Sequence, residues 1–239
     1  MGQNILHPNR KQGHEFYTPF GPIIGYKKIS DKLVRACNKE CDANIGIDHS
    51  DNLVGKVTQE ITISKSLISE LIGESYDMLW EYSIGSTERA HLQKVNLPEG
   101  VTLDICARSA WFVRSFAGDY NPAHVHTDCS MTSIGFLKVS KSLEKEFEED
   151  LKDHHSSNGL TQLFYGDTYH STPVSNQFWL KPTPGDFWVF PASLMHTAYP
   201  FRSKGERRSF SINFDMALTM GDENAPNPRS SMIRPPSQK

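Results

Sequence analysis

Two segments in the first hundred residues repeat apolar residues at helical spacing. The first follows Ser30, a suitable N-cap, and runs to about residue 42. The second starts at Ser64 and runs to about Trp80, with a pattern compatible with extension to His91. Their apolar positions are Leu33, Val34, Cys37 and Cys41 in the first segment and Leu67, Ile68, Leu71, Ile72, Met78 and Leu79 in the second. Each pattern predicts an amphipathic helix.

After the turn-forming LPEG sequence at 97–100, the chain becomes rich in β-branched and aromatic residues with partial alternation. Strands are predicted in VTLDICARSAWFVRSF, SMTSIGFLKVS, LTQLFYG, NQFWLK, DFWVF and RRSFSINFDM, after a weaker one in VTQEITI. This half lacks the strand–helix alternation that is typical of parallel α/β folds. We therefore predict a mainly β fold with N-terminal helices, built as a sandwich or jelly roll.

One charged segment interrupts the strands. Residues 141–158, KSLEKEFEEDLKDHHSSN, place Leu143, Phe147 and Leu151 four residues apart among dense charge. This spacing predicts a surface helix inserted in a loop, with its charged face in solvent.

The two ends of the chain carry little periodic pattern. Residues 1–28 mix Gly, Pro and aromatic residues, which predicts an irregular arm crossing the body of the protein. Residues 220–239 contain four prolines and few residues to bury, which predicts a disordered tail. One main domain is expected from 29 to 219, helical to about 96 and with its jelly-roll body from about 101.

Composition narrows the functional class. The chain has 239 residues, 37% of them hydrophobic, and a formal net charge of −3 with scattered Lys and Arg, so nucleic acid is not a favoured ligand. Met1 to Gly13 lacks the apolar core of a signal peptide, and no apolar run is long enough to span a bilayer. Four cysteines without a CxxC pair predict reduced thiols. We expect a cytoplasmic protein without a membrane partner.

The stretch GDYNPAHVHTD at 118–128 offers three side chains that can hold a metal: His124, His126 and Asp128. Residues spaced by two on an extended strand point to one face, so the three share a face there. His196 lies downstream, in FPASLMHTAYPF. A non-haem Fe(II) oxygenase site needs about three protein ligands and open positions, which either pair of neighbouring candidates could supply together with His196.

The strand RRSFSINF has two chemically different faces. One carries Arg207, Ser209, Ser211 and Asn213, and the other Arg208, Phe210, Ile212 and Phe214. If the polar face points into the barrel, Arg207 and Ser209 form a clamp for a carboxylate. Arg208 is predicted to face solvent beside the turn. Near the metal candidates, Trp111, Phe112 and Tyr120 suit either a substrate entrance or the core.

Three blocks together carry a family resemblance: GDYNPAHVHTDCSMTSIGFLKV, PGDFWVFPASLMHTAYPF and ERRSFSINF. In order and spacing they resemble the 2-oxoglutarate/Fe(II)-dependent oxygenases of marine phages and bacteria, which are related to prolyl hydroxylases. The resemblance covers about residues 101–216. It implies a double-stranded β-helix (a cupin-like jelly roll), the cofactor Fe(II), the cosubstrates 2-oxoglutarate and O₂, and hydroxylation with release of succinate. If the gene is phage-borne, the cytoplasm is the host's.

Residue by residue, the resemblance makes His124 the first metal ligand, His196 the distal ligand, and Arg207 with Ser209 the site for the remote carboxylate of 2-oxoglutarate. The second ligand departs from the HxD or HxE of the wider superfamily, since His126 stands there. Loop length and the HxH of related sequences favour His124, His126 and His196, with Asp128 as the alternative ligand. The prime substrate stays open between a protein side chain and a small metabolite. Two rival functions are a cupin-like metalloprotein that uses three histidines without 2-oxoglutarate and a non-catalytic jelly-roll binding module.

Overall fold

The computed structural model describes residues 13–17, 21–43, 46–48, 54–91, 101–150, 157–166 and 176–220. Within these ranges the helices are α1 (Asp31–Ala43), α2 (Lys65–His91) and α3 (Lys141–Asp150). The strands are β1 (His14–Tyr17), β2 (Ile24–Lys28), β3 (Gln59–Thr62), β4 (Val101–Ser115), β5 (Asn121–His124), β6 (Met131–Val139), β7 (Thr161–Phe164), β8 (Gln177–Leu180), β9 (Asp186–Pro191), β10 (Met195–Ala198) and β11 (Arg207–Met220). The two predicted N-terminal helices and the weak strand in VTQEITI are confirmed.

The strands form two antiparallel sheets. The major sheet has the order β1-β2-β9-β6-β11-β4-β3, and the minor sheet has the order β5-β10-β7-β8. From β4 onward the chain passes back and forth between them: β4, β6, β9 and β11 lie in the major sheet, while β5, β7, β8 and β10 lie in the minor one. This winding is a jelly roll, so the predicted double-stranded β-helix with N-terminal helices is confirmed.

The N-terminal helices and the major sheet share the main hydrophobic core. Phe210, Ile212 and Phe214 of β11 are buried in one cluster with apolar residues of both helices. Those helix residues include Leu33, Cys37 and Cys41 of α1 and Leu67, Leu71 and Met78 of α2. Removal of this apolar surface from water holds the helices against the sheet, which leaves the opposite face of β11 directed toward the minor sheet.

A glycine allows β6 and β11 to pack closely. Gly135 lies opposite Phe210 in the sheet. A Cβ atom at Gly135 would come within 2.1 Å of the Phe210 ring, so a side chain there would displace a fully buried aromatic residue. The absence of a side chain at Gly135 therefore leaves room for the buried Phe210 ring at the centre of the major sheet.

The N-terminal arm was predicted to be irregular, and this is wrong for two of its segments. β1 and β2 pair with each other, and β2 pairs with β9 at the edge of the major sheet. Alternation missed β2 because its first two residues, Ile24 and Gly25, are both buried. Residues 1–12 and 18–20 of the arm, and residues 221–239 of the predicted tail, lie outside the described ranges.

The charged insertion begins with the predicted helix. α3 buries Leu143 and Phe147 against Phe201, while the rest of the insertion up to residue 156 lies outside the described residues. Among the described helices, none has the length and apolar character needed to cross a membrane.

Candidate metal centre

His124 and His196 form a cross-strand pair in the minor sheet. They lie directly opposite each other on β5 and β10, with ring centroids 4.2 Å apart. Residues opposed in this way hold their side chains on one face, at close range. His196 is 7% exposed and packs edge-on against Phe190. The pairing of β5 with β10 therefore sets the positions of two of the three predicted ligands, and both lie on strands.

His126 completes the cluster from a segment that follows β5. Its backbone N–H donates to the carbonyl of Ala192 at 2.9 Å, which anchors the segment. The His126 ring lies 5.3 Å from that of His124 and 5.1 Å from that of His196, and it stacks on Trp111 at 5.9 Å. One nitrogen from each histidine lies within 4.8 Å of the others. This spacing allows a single metal ion to contact all three rings.

The hydrogen bonds of the three rings fix their tautomer. Each Nδ1 lies against a carbonyl oxygen: that of Pro122 for His124 (2.7 Å), that of Leu194 for His196 (2.9 Å), and the side-chain oxygen of Asn213 for His126 (2.7 Å). A carbonyl oxygen can only accept, so Nδ1 carries the proton and Nε2 keeps its lone pair. Neutral imidazoles oriented by a second hydrogen bond are the form that binds metals. The donor set therefore fits a divalent metal such as Fe(II).

Burial also favours the neutral rings. Desolvation, followed by repulsion from neighbouring histidines, lowers the pKa of His196 to about 3 and that of His126 to about 4. The pKa of His124 is lowered by burial as well. Protons therefore do not compete for these nitrogens at neutral pH.

Asp128 does not join the cluster. β5 ends at His124, and Asp128 is exposed with a φ of 58° in the left-handed region. The expectation that residues 124, 126 and 128 share a face of one strand is wrong, because β5 ends at His124 and the backbone of Asp128 is left-handed. The structure brings together His124, His126 and His196, and it leaves the Asp128 carboxylate outside that group.

The histidines open into a cavity of about 760 Å³ between the two sheets. Its lining includes Trp111, Arg207 and Ser209 as well as the three histidines. The polar face predicted for β11 thus points into the barrel. Ser209 is 7% exposed and lies opposite Val113 of β4.

Arg207 is a buried cation without a carboxylate partner among the residues that the structure describes. It is 3% exposed, and its Nη1 donates to the carbonyls of Gly159 (2.8 Å) and Tyr199 (3.2 Å). Its Nη2 reaches the Ser115 hydroxyl at 3.4 Å. Burial lowers the pKa of Arg207 to about 10, with Asp119 acting in the opposite direction, so the group is charged at neutral pH. The carbonyl contacts orient the guanidinium and leave donors available for an anion in the cavity.

Thr161 adds a second buried group that suits an anion. Its hydroxyl lines the cavity, is buried, and has no hydrogen-bond partner in the described part of the chain. Thr161 follows the Gly159 carbonyl by two residues, on the side of the cavity where Arg207 is anchored. A buried hydroxyl without a partner is unfavourable unless a ligand completes it, so the residues present fit a dicarboxylate such as 2-oxoglutarate.

Arg208 is not the solvent-facing arginine that was predicted. It is 1% exposed and donates to Glu206 through Nε (2.8 Å) and Nη2 (3.1 Å). It also binds Asp42 of α1 at 2.6 Å and the side chain of Asn38 at 3.0 Å. Alternation predicted the correct strand face, but no local pattern indicates that α1 covers this end of β11.

The three aromatic residues near the metal candidates have different roles. Trp111 lines the cavity and stacks on His126, whereas Phe112 is a fully buried core residue. Tyr120 is 42% exposed, and its backbone pairs with that of Lys56. Phe112 thus belongs to the core, Trp111 borders the cavity, and a substrate entrance stays a prediction.

Asn213, Thr161 and Glu60 are polar residues of the cavity to which the sequence pattern assigned no role. Asn213 orients His126, and Glu60 lies on β3 at the edge of the major sheet. The alternation of VTQEITI places Glu60 on a polar strand face, which is the available signal. The pattern alone cannot distinguish a face in solvent from a face in a cavity.

Comparison with known proteins agrees with this arrangement. Residues 109–213 match the family model described as "Putative 2OG-Fe(II) oxygenase", so this segment is similar to that family. The match contains all three histidines, Arg207 and Ser209. The resemblance inferred from the sequence is thereby confirmed. No curated protein matches the sequence.

Two solved structures are similar to this chain. A Pseudomonas putida prolyl-4-hydroxylase aligns with a TM-score of 0.51 and 16% identity, over 80% of this chain and 91% of that chain. This likeness shows a shared fold. A protein of the 2OG-Fe(II) oxygenase family from Burkholderia pseudomallei aligns with a TM-score of 0.42 and 10% identity, over 81% of this chain and 66% of that chain.

Proposed function

We propose that this protein is a 2-oxoglutarate- and Fe(II)-dependent dioxygenase that hydroxylates its substrate and converts 2-oxoglutarate to succinate. His124, His126 and His196 hold the metal through their Nε2 atoms. When bound, Fe(II) supplies the redox chemistry that dioxygen and the 2-oxo acid require. The protein positions the reactants and limits access of water to a cavity between two sheets.

One observation supports this function most strongly: Arg207, a buried guanidinium without a carboxylate partner among the described residues, lines the same cavity as the three neutral histidines. An unpaired buried charge is costly, and an anionic ligand would pair it. In our proposal Arg207 and the hydroxyl of Ser209 bind the remote carboxylate of 2-oxoglutarate, with Thr161 beside them. Three imidazoles leave the full positive charge on the metal, which favours an anionic cosubstrate.

Replacement of Arg207 by Met tests the proposal. The change keeps an aliphatic stem and removes the charge, so we expect the affinity for 2-oxoglutarate to fall about a hundredfold or more, as for a truncated buried charge pair. Succinate formation should be lost at moderate 2-oxoglutarate, while Co(II) still binds the histidines with its visible absorption. Mass spectrometry of succinate and optical titration with Co(II) measure the two effects.

The matched control is Arg35→Met, at an exposed position of α1. It should leave both measurements unchanged. Succinate formation that survives in Arg207→Met would favour a metalloprotein that does not use 2-oxoglutarate. Absence of both metal binding and succinate in the unmodified protein would exclude the enzyme and favour a binding module.

A further inference from the structure

Glu60 is a buried carboxyl group that the proposed metal and 2-oxoglutarate sites do not use. It is 4% exposed and lines the cavity. Its Oε1 has no hydrogen-bond partner within the described ranges, and no cation there pairs with it. A buried carboxyl group without such partners is unfavourable, and a donor or a cation from a ligand would satisfy it.

The sheet register places Glu60 on the cavity face near the histidines. Glu60 lies opposite Val113 of β4, and Trp111 lies two residues along the same face of that strand. From ordinary strand spacings, the Cα atoms of Glu60 and Trp111 are about 8 Å apart. Because Trp111 stacks on His126, a ligand of modest length can reach both Glu60 and the metal centre.

Glu60 and Arg207 belong to different parts of the cavity. Arg207 lies opposite Ser115, one cavity-facing position beyond Val113 and two strands away from β3. The carbonyls of Gly159 and Tyr199 hold the guanidinium toward the minor sheet. The cavity thus has a cationic end, suited to the cosubstrate, and a separate carboxyl at the edge strand.

Resting on the function proposed above, we infer that Glu60 recognises the prime substrate, and that this substrate carries a basic nitrogen, an amine or a guanidine, on an aliphatic stem. Val113, which lies opposite Glu60, and Val54, which also lines the cavity, provide apolar surface for the stem. The basic group pairs with the Glu60 carboxylate and satisfies its free oxygen. Glu60 is a specificity-determining residue.

The electrostatic environment supports a cation over a neutral ligand. Burial, together with repulsion from Asp48, raises the pKa of Glu60 to about 7. A cationic partner removes both penalties, because it supplies the opposite charge and the missing hydrogen bond. A neutral ligand supplies at most the hydrogen bond.

Matched probes test this inference without turnover. n-Butylguanidinium and n-butylurea have nearly the same shape and differ in charge, and n-butylammonium and n-butanol form a second pair. Binding is measured by calorimetry on the full chain loaded with Co(II) and 2-oxoglutarate, without oxygen. We expect each cation to bind at least about tenfold more tightly than its neutral partner. Equal affinities, or no detectable binding of the cations, would overturn the inference.

Two variants test whether Glu60 causes the preference for cations. Glu60→Gln keeps the shape and removes the charge, so it should reduce the preference for the cations to less than about twofold. Glu144→Gln makes the same change at an exposed position of α3 and should leave the preference intact. A preference that survives in Glu60→Gln would assign the cation to another group and contradict the inference. If Glu60→Gln does not fold, the paired probes on the unmodified protein still decide.

The outcome is separable from that of the proposed function. Succinate formation without a preference for cations would leave the dioxygenase standing and remove the role of Glu60. A preference for cations without succinate formation would leave a cation-binding cavity and remove the dioxygenase.

Discussion

Arg207 and Arg208 are neighbours in sequence, and both are buried, yet the two faces of β11 use them in opposite ways. Arg208, on the helix face, is fully paired with Glu206, Asp42 and Asn38. Arg207, on the cavity face, donates to backbone carbonyls and has no described carboxylate partner. A paired buried charge joins parts of the fold, whereas an unpaired one remains available for a ligand. Pairing therefore separates the arginine that stabilises the fold from the arginine that we assign to binding.

Glu206 is the centre of the ion-pair network on the helix face of β11. Besides Arg208, its carboxylate accepts from Arg114 of β4 at 2.7 Å and Lys138 of β6 at 2.8 Å. Asp42 extends the network to α1. One carboxylate thus connects three strands, and Arg208 ties the network to the first helix.

Replacement of Arg208 should have the largest effect on stability. Arg208→Met leaves Glu206 and Asp42 with fewer partners, so we expect the free energy of unfolding to fall by about 3–5 kcal/mol. Arg207→Met removes an unpaired charge, and its free energy of unfolding should change by about 1 kcal/mol or less. Urea denaturation of the two variants in parallel measures the contrast. Equal losses of stability would show that the two faces do not differ in this way.

Low pH should lower the free energy of unfolding, because protonation of Glu206 weakens its ion pairs. Burial raises the pKa of Glu206, but hydrogen bonds from Arg208, Arg114 and Lys138 outweigh it and lower the pKa to about 2 from the usual 4.5. Because the folded pKa is the lower one, this stabilisation is present above about pH 4.5 and is lost as pH falls toward 2. Glu206→Gln should therefore destabilise at pH 7, by about 1.5–3 kcal/mol, and much less near pH 2.

Urea denaturation between pH 7 and pH 2 follows this effect. Glu144→Gln, on the exposed face of α3, is the control and should track the unmodified protein throughout. A difference between Glu206→Gln and the unmodified protein that stays constant over this range would contradict the role given to the Glu206 charge.

On the cavity face, Asn213 should affect metal affinity more than stability. Its side-chain oxygen accepts from Nδ1 of His126 and from the Thr132 hydroxyl at 2.8 Å. Asn213→Ala removes the group that orients the ligand, so we expect the metal affinity to fall about tenfold to a hundredfold. Asn213→Asp keeps an acceptor for His126 and should retain most of the affinity. Competition between the protein and a chromophoric chelator for Co(II) measures both variants, and equal affinities in Ala and Asp would rule out the orienting role.

Local pattern predicted much of this molecule. Helical spacing gave α1 and α2, and charge with four-residue spacing gave α3. Strict alternation in RRSFSINF gave both faces of β11, because strand geometry fixes the direction of side chains independently of the rest of the fold. The HxH pair and the distant histidine were also singled out from the sequence as metal candidates, and the family resemblance favoured them over Asp128.

The errors share a physical cause, which is contact between residues far apart in sequence. Arg208 was assigned to solvent because Asp42 and Asn38 precede it by more than 160 residues. The arm was predicted as irregular because β2 owes its place to pairing with β9. Glu60 received no role because no local pattern shows that the polar face of β3 borders a cavity.

The sequence by itself determined the periodic elements and the polar face of β11, because these follow from side-chain pattern and local backbone geometry. It also offered His124, His126 and His196 as metal candidates, with Asp128 as an alternative that only the family resemblance and loop length disfavoured. The tertiary structure alone decided how they meet. It placed His124 opposite His196 and excluded Asp128 by ending β5. It also placed Arg207, which has no carboxylate partner in the described part of the chain, in the cavity that the histidines line. Sheet register and helix docking set these relations, and both depend on packing across the whole chain.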